Sequence, residues 1–210
     1  MKKFLLFLCA LLLFTTHVEA VIIYDNGAPN EETAYWSDYD SGWRAADDFS
    51  LGAGNNVITD IHWWGGYWYE NTPLELDDFT ILIYNDLDGL PNEVVWSDNV
   101  GNVNRDITDM DVGDSDIYYY WVHIDSPELL SDTIYHLSIV NDTTNDSETW
   151  AWAKSSDGGF SWGPGDFWGY EPSELAFNLT AEPVPEPATM LLLGTGLVGL
   201  LGFRKKFKKS

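Results

Sequence analysis

Apolar and polar side chains alternate with a period of two through most of this chain. Val57, Thr59, Ile61 and Trp63 alternate with Ile58, Asp60, His62 and Trp64. Phe79, Ile81 and Ile83 alternate with Thr80, Leu82 and Tyr84, and Tyr135, Leu137 and Ile139 with His136 and Ser138. Leu175, Phe177 and Leu179 alternate with Ala176, Asn178 and Thr180, and Ile117 to Ile124 is a run of aromatic and β-branched residues. A period of two sends successive side chains to opposite faces of a strand, and the breaks between these runs hold Gly, Asn, Asp and Pro, the residues of turns. Further strands are expected at 21–24, 43–51, 92–97 and 149–154, and no stretch carries the period of an amphipathic helix. Many short strands separated by turn signals predict an all-β domain, a two-sheet jelly-roll-like β-sandwich. The longest loops are expected at 99–116 and 155–173, the second rich in aromatic residues.

The two ends break this pattern. Lys2 and Lys3 precede an apolar run from Phe4 to Phe14, and Ala20 supplies a small residue at a cleavage point. That is a secretory signal peptide over 1–20, cut after Ala20. Cys9 lies inside it, so the exported domain carries no cysteine and no disulfide. At the other end Ala188 to Phe203 holds no charge, close to the ~20 residues of a membrane-crossing helix. Arg204, Lys205, Lys206, Lys208 and Lys209 follow it and belong in the cytoplasm by the positive-inside rule. Pro185, Glu186 and Pro187 precede it as a stiff, extended segment. Gly194, Gly196 and Gly199 fit a dinucleotide-site spacing, but no βαβ unit surrounds them. The expected organisation is a signal peptide at 1–20, a β-sandwich at 21–180, a linker with the Pro-Glu-Pro motif at 181–187, a transmembrane helix at 188–203 and a basic cytoplasmic tail at 204–210.

In that order, Pro185-Glu186-Pro187, the apolar helix and the basic cluster resemble the PEP-CTERM sorting signal of Gram-negative bacteria. The resemblance implies an exosortase, a membrane-embedded processing enzyme, as partner. It implies transient anchoring in the inner membrane, removal of the anchor, and delivery to the cell surface or the exopolysaccharide matrix. Ala45-Ala46-Asp47-Asp48-Phe49-Ser50-Leu51, then Phe79 to Tyr84 with Asp88-Gly89-Leu90-Pro91, then Leu175 to Thr180, are also similar to β-sandwich domains found upstream of such signals. Those domains are mostly without assigned activity.

Charge narrows the partners. The chain has a formal net charge of −24. Residues 21–185 hold 32 acidic side chains against Arg44, Arg105 and Lys154, a net of −29. Nucleic acid is excluded, because phosphate binding needs clustered Lys and Arg. Bound cations and high solubility are favoured.

Candidate chemistry then falls on three sets of residues. If 43–51 is a regular strand, Asp47 shares a face with Trp43, Ala45, Phe49 and Leu51, and a buried carboxylate needs a partner. Ca²⁺ is one such partner, and Asp86 and Asp88 of another acidic turn are further candidate ligands; the alternative is a solvated turn and a bulge that turns Asp47 outward. Trp64, Trp68, Trp162 and Trp168 are candidate sugar-stacking rings, set against core packing as the ordinary use of such residues. His62, His123 and His136 all fall within strands, with no spacing that makes them converge on a metal. No nucleophile elbow, zinc-protease helix or phosphate loop occurs. Three readings follow: a non-enzymatic exported surface or matrix protein, a carbohydrate-binding module for extracellular polysaccharide with or without Ca²⁺, and a polysaccharide hydrolase. The first is preferred, and no catalytic residue is assigned.

Overall fold

In a computed structural model, residues 20–181 are described, apart from 55, 69–72, 126, 145, 157 and 166. The signal peptide, the Pro-Glu-Pro motif, the transmembrane helix and the basic tail expected from sequence lie outside the described residues. Among the described residues every regular element is a strand, and every strand pairing is antiparallel.

Two sheets form. Sheet A is organised by the central strand β4 (Asp60–Trp68). One edge of β4 pairs with β13 (Phe177–Ala181) over its first half and with β10 (Thr149–Ala153) over its second. Its other edge pairs with β8 (Ser115–His123), which carries β7 (Asn104–Val112). The short strands β1 (Val21–Asp25) and β2 (Ala34–Trp36) close the far sides of β13 and β10. Sheet B runs β12 (Gly169–Glu171), β11 (Phe160–Pro164), β3 (Trp43–Ser50), β9 (Ile134–Asn141), β5 (Phe79–Leu87), β6 (Leu90–Gly101).

The alternation read from sequence is the inside–outside alternation of these strands. Ile61, Trp63 and Tyr67 of β4 point inward, as do Phe79, Ile81 and Ile83 of β5, Leu137 and Ile139 of β9, and Phe177 and Leu179 of β13; all are sealed from solvent. A four-ring cluster fills the centre. Trp63 and Tyr120 stack at 5.5 Å and 10°, while Phe79 meets Trp63, Tyr120 and Trp150 edge-on at 5.1–5.2 Å. Offset and edge-on geometry satisfies the ring quadrupoles, so the rings add to their area burial. Adjacent aromatic residues split between faces as the period requires: Trp63 and Tyr67 lie in the core, Trp64 and Trp68 outside it.

Two segments differ from expectation. Residues 99–116, expected as a loop, contain the end of β6, all of β7 and the start of β8. Among the described residues β7 is an edge strand paired only to β8, so its outward positions are filled by Asp106, Asp109 and Asp111 and little apolar alternation remains to be read. Residues 155–173 contain β11 and β12, whose glycines and prolines hide a tight hairpin.

Buried polar groups pin the loops. Asp77 accepts both hydrogen bonds of a fork from Arg105 Nη1, at 3.0 and 2.8 Å, and one from the Tyr67 hydroxyl. Arg105 Nη2 donates to the Leu74 carbonyl at 2.5 Å, and Asn141 Nδ2 donates to the Tyr67 hydroxyl at 3.0 Å. Burial drives the Asp77 carboxyl pKa up, while Tyr67 and Arg105 pull it back down.

Candidate functional site

The outer face of sheet A carries an aromatic ladder. His62 stacks on Tyr119 at 5.8 Å and 17°, and its Nδ1 lies 2.6 Å from the Tyr119 hydroxyl. Tyr119 stacks on Trp121 at 5.5 Å and 27°, and Trp64 leans on Tyr119 at 4.9 Å. Trp64 and Trp68 also pack on a small apolar cluster of Val112, Ile117, Ala153 and Ala176. Rings that stack on one another present edges, with their faces already in use.

The outer face of sheet B is built differently. Register places three rows across it: Asp48, His136, Tyr84; then Ser161, Ala46, Ser138, Leu82; then Val140 and Thr80, with Arg44 opposite Gly163 and the segment around Asp38 inserted between Trp43 and Asn141. The last two rows end in a pocket of about 190 Å³ lined by Tyr39, Arg44, Asp78, Thr80, Leu82, Asn99, Val140, Asn141 and Asp142. That is smaller than the ~300–1,000 Å³ of drug-sized sites and suits one ring-sized unit. Its polar rim is held in place. Asn99 Nδ2 donates to Asp78 Oδ1 at 3.1 Å and to Thr80 Oγ1 at 3.2 Å. Asn141 Oδ1 accepts from the Asp78 amide at 2.9 Å, and Asp142 Oδ1 from the Thr144 amide at 3.0 Å. Asn141 therefore links the pocket floor to the Tyr67–Asp77–Arg105 network beneath it.

Exposed rings gather at this face. Tyr39, which lines the pocket, is 61% exposed, Phe167 82% and Tyr170 68%. The turn bearing Tyr39 touches the β11–β12 hairpin through the Gly165 amide, 2.9 Å from the Gly42 carbonyl. Tyr170 lies over Gly159, where a side chain would collide with its ring, and donates to the Gly158 carbonyl at 3.0 Å. Gly163 likewise leaves room for the Phe167 carbonyl, so the hairpin folds down onto the sheet.

Of the tryptophans expected to stack on sugar, only Trp168 lies on this outer face. It meets Tyr84 edge-on at 5.7 Å. Trp162 points inward, stacked on Trp43 at 4.1 Å, with its Nε1 donating to the Trp36 carbonyl at 2.9 Å. Trp64 and Trp68 belong to sheet A, so the four do not converge.

Asp47 lies on the inner face and is fully buried. Its Oδ2 accepts from the Leu175 amide at 2.6 Å and from Asn26 Nδ2 at 2.8 Å, and its Oδ1 accepts from the Asp48 amide at 3.0 Å. Asn26 Nδ2 also donates to Glu174 Oε2 at 3.1 Å and to the Leu175 carbonyl at 3.0 Å. Burial, then the Glu174 charge, pushes the Asp47 carboxyl up to about 9. Two carboxyl groups and a carbonyl are a hard-cation donor set, but here they converge on the Asn26 amide. Asp86 and Asp88 do not join them. Asp86 sits on the outer face of β5, accepting from His136 at 2.8 Å, and Asp88 occupies a left-handed turn position at φ 56°. Among the described residues no three His, Cys, Asp or Glu side chains are grouped to hold a metal ion. The histidines stay apart: His62 on Tyr119, His123 on Asp60, His136 on Asp86.

Sequence reasoning passed over Tyr39, Arg44, Asp78, Asn99 and Asp142. They come from four separate segments, and only sheet register brings them together. The one local signal is an aromatic residue in the turn Asp38-Tyr39-Asp40-Ser41-Gly42, where packing gives no reason for a ring.

Comparison with known proteins defines the class first. Residues 183–206 match the PEP-CTERM protein-sorting motif, so this is an exported, exosortase-processed protein with a β-sandwich passenger, anchored transiently in the membrane before processing. Residues 27–190 match the family described as Domain of unknown function (DUF7901), and the chain belongs to that family. No curated protein and no solved structure matches it.

Proposed function

We propose that this protein is a non-enzymatic, glycan-binding passenger, delivered to the cell surface or the extracellular polysaccharide matrix of a Gram-negative bacterium. Its binding face is the outer face of sheet B. The observation that carries this reading is an exposed ring, Tyr39, set in a polar pocket lined by Arg44, Asp78, Asn99 and Asp142, on a sheet face that also carries the exposed rings of Phe167 and Tyr170. A sugar offers both an apolar ring face and a rim of hydroxyls. Free aromatic faces take the first, and fixed carboxylate, amide and guanidinium groups take the second. The acidic surface favours neutral glycans and repels uronates. Retention in a polysaccharide matrix is also the use that fits the sorting signal.

Calorimetric titration of the exported protein with neutral and uronate oligosaccharides tests the reading. Neutral sugars are expected to bind, and Arg44→Ala to weaken them at least tenfold. Absence of binding at millimolar sugar contradicts it.

A further inference from the structure

Ala46, Ser138 and Ser161 form one row on the outer face of sheet B, yet their exposure is 0, 0 and 2%. Trp168 is placed to cover this row. It springs from the β11–β12 hairpin, its Cα close over Gly163, and its ring meets Tyr84 on β5. With β11, β3, β9 and β5 in that order, the ring reaches Tyr84 across β3 and β9. Small residues in that row make the trough it crosses.

Two polar atoms in the covered area have no hydrogen-bond partner among the described residues. His136 is 3% exposed; its Nε2 is 2.8 Å from Asp86 Oδ1, while its Nδ1 is buried and makes no hydrogen bond. Ser138 Oγ, two residues along the same strand face, is also buried and makes none. Leaving such groups unpaired is costly, and native proteins seldom do so without a use for them. A carboxylate only accepts, so His136 donates through Nε2, and a neutral ring presents Nδ1 as an acceptor. Ser138 both donates and accepts. The covered area is continuous with the open pocket, because Ser138 pairs with Leu82 and Leu82 lines that pocket.

We propose that His136 Nδ1 and Ser138 Oγ form a second subsite for the hydroxyls of a neutral sugar unit, adjoining the pocket and roofed by the Trp168 indole until ligand turns that side chain aside. This rests on the glycan reading of the pocket and extends it to a chain of at least two units, with Trp168 as a stacking surface once displaced.

Two measurements on the exported protein test it. The first is independent of sugar. Diethylpyrocarbonate labelling, read by mass spectrometry, should modify His136 at least tenfold more slowly than the exposed His123, and Trp168→Ala should remove most of that protection. If His136 stays protected in Trp168→Ala, the roof is wrong. The second uses neutral gluco-, manno- and galacto-oligosaccharides of one to six units. Affinity should rise at least tenfold from one unit to three, and Ser138→Ala and His136→Ala should each cut that gain below threefold. Ser138→Ala should melt no lower than the parent, since it deletes an unpaired buried hydroxyl, so a lost gain is not lost folding. A gain left intact in both variants overturns the subsite. If no sugar of the series binds, the ligand class assigned to pocket and subsite falls together, while His136 labelling still decides the roof.

Discussion

On the outer face of sheet A, Trp64, His62, Tyr119 and Trp121 lean and stack on one another; on the outer face of sheet B, Tyr39, Phe167 and Tyr170 keep more than half of their surface in solvent. Both faces are rich in aromatic residues. Strand pairing decides the difference. β4 and β8 are long neighbours in register, so rings at Trp64 and Tyr119 are forced into contact and satisfy each other. On sheet B the exposed rings come from a turn and a hairpin at the sheet margin, where no ring stands opposite them: Tyr170 is paired with Ser161. An aromatic ladder on a strand pair is therefore packing, and the rings left exposed on sheet B are the ones available to the proposed binding surface.

The comparison can be broken by substitution, and the largest effect is expected at the strut beneath the pocket. Asp77→Ala leaves Arg105 without its partner and Tyr67 without its acceptor; it should cost about 3–5 kcal/mol by chemical denaturation. A cost under ~1 kcal/mol would mean that the network does not hold the pocket end of the sandwich.

Asp47 comes next. Its folded-state carboxyl is raised to about 9, above its ordinary value of 3.8. Between these two pH values the folded state holds a proton that the unfolded state has released, so stability falls as pH rises through this window. Asp47→Asn, which is neutral at every pH, should stabilise the protein by about 2 kcal/mol at pH 8, roughly 4–8 °C in Tm, and by little at pH 4.5. A Ca²⁺ ion held by Asp47 and Glu174 would reverse this: the variant would then melt below the parent in Ca²⁺, and EDTA would abolish the difference.

The smallest effect falls on the ladder. Trp64→Ala should cost about 1–2 kcal/mol of stability, from partial burial and one ring pair. Its glycan affinity should stay within about twofold of the parent, whereas Tyr39→Ala should lose about tenfold at little cost to the fold.

Much of the fold could be read from alternation alone. Wherever one face of a strand meets the core, as at Ile61–Trp63 and Phe79–Ile83, the period of two is written in apolar residues. Asp47 was also legible, because its strand neighbours Ala45 and Phe49 fix which way it points. β7 was not, since an edge strand satisfies its backbone without burying both faces, and Asp106, Asp109 and Asp111 serve there as well as apolar residues would. The candidate site was least legible of all. Val140, Asp142, Arg44, Asp78 and Asn99 are neighbours only through the order of β3, β9, β5 and β6, which no local pattern encodes. Tryptophan content was a poor guide for the same reason: Trp162 and Trp168 stand six residues apart on one hairpin, yet one faces the core and the other the outer surface.

The most direct test of the account is a hydroxyl-radical footprint of the exported protein with and without its best-bound neutral oligosaccharide. Protection is expected at Tyr39, Phe167 and Tyr170, with unchanged oxidation at Trp64, Trp68, Tyr119 and Trp121. Protection of the sheet A ladder, with the sheet B rim left open, would contradict it.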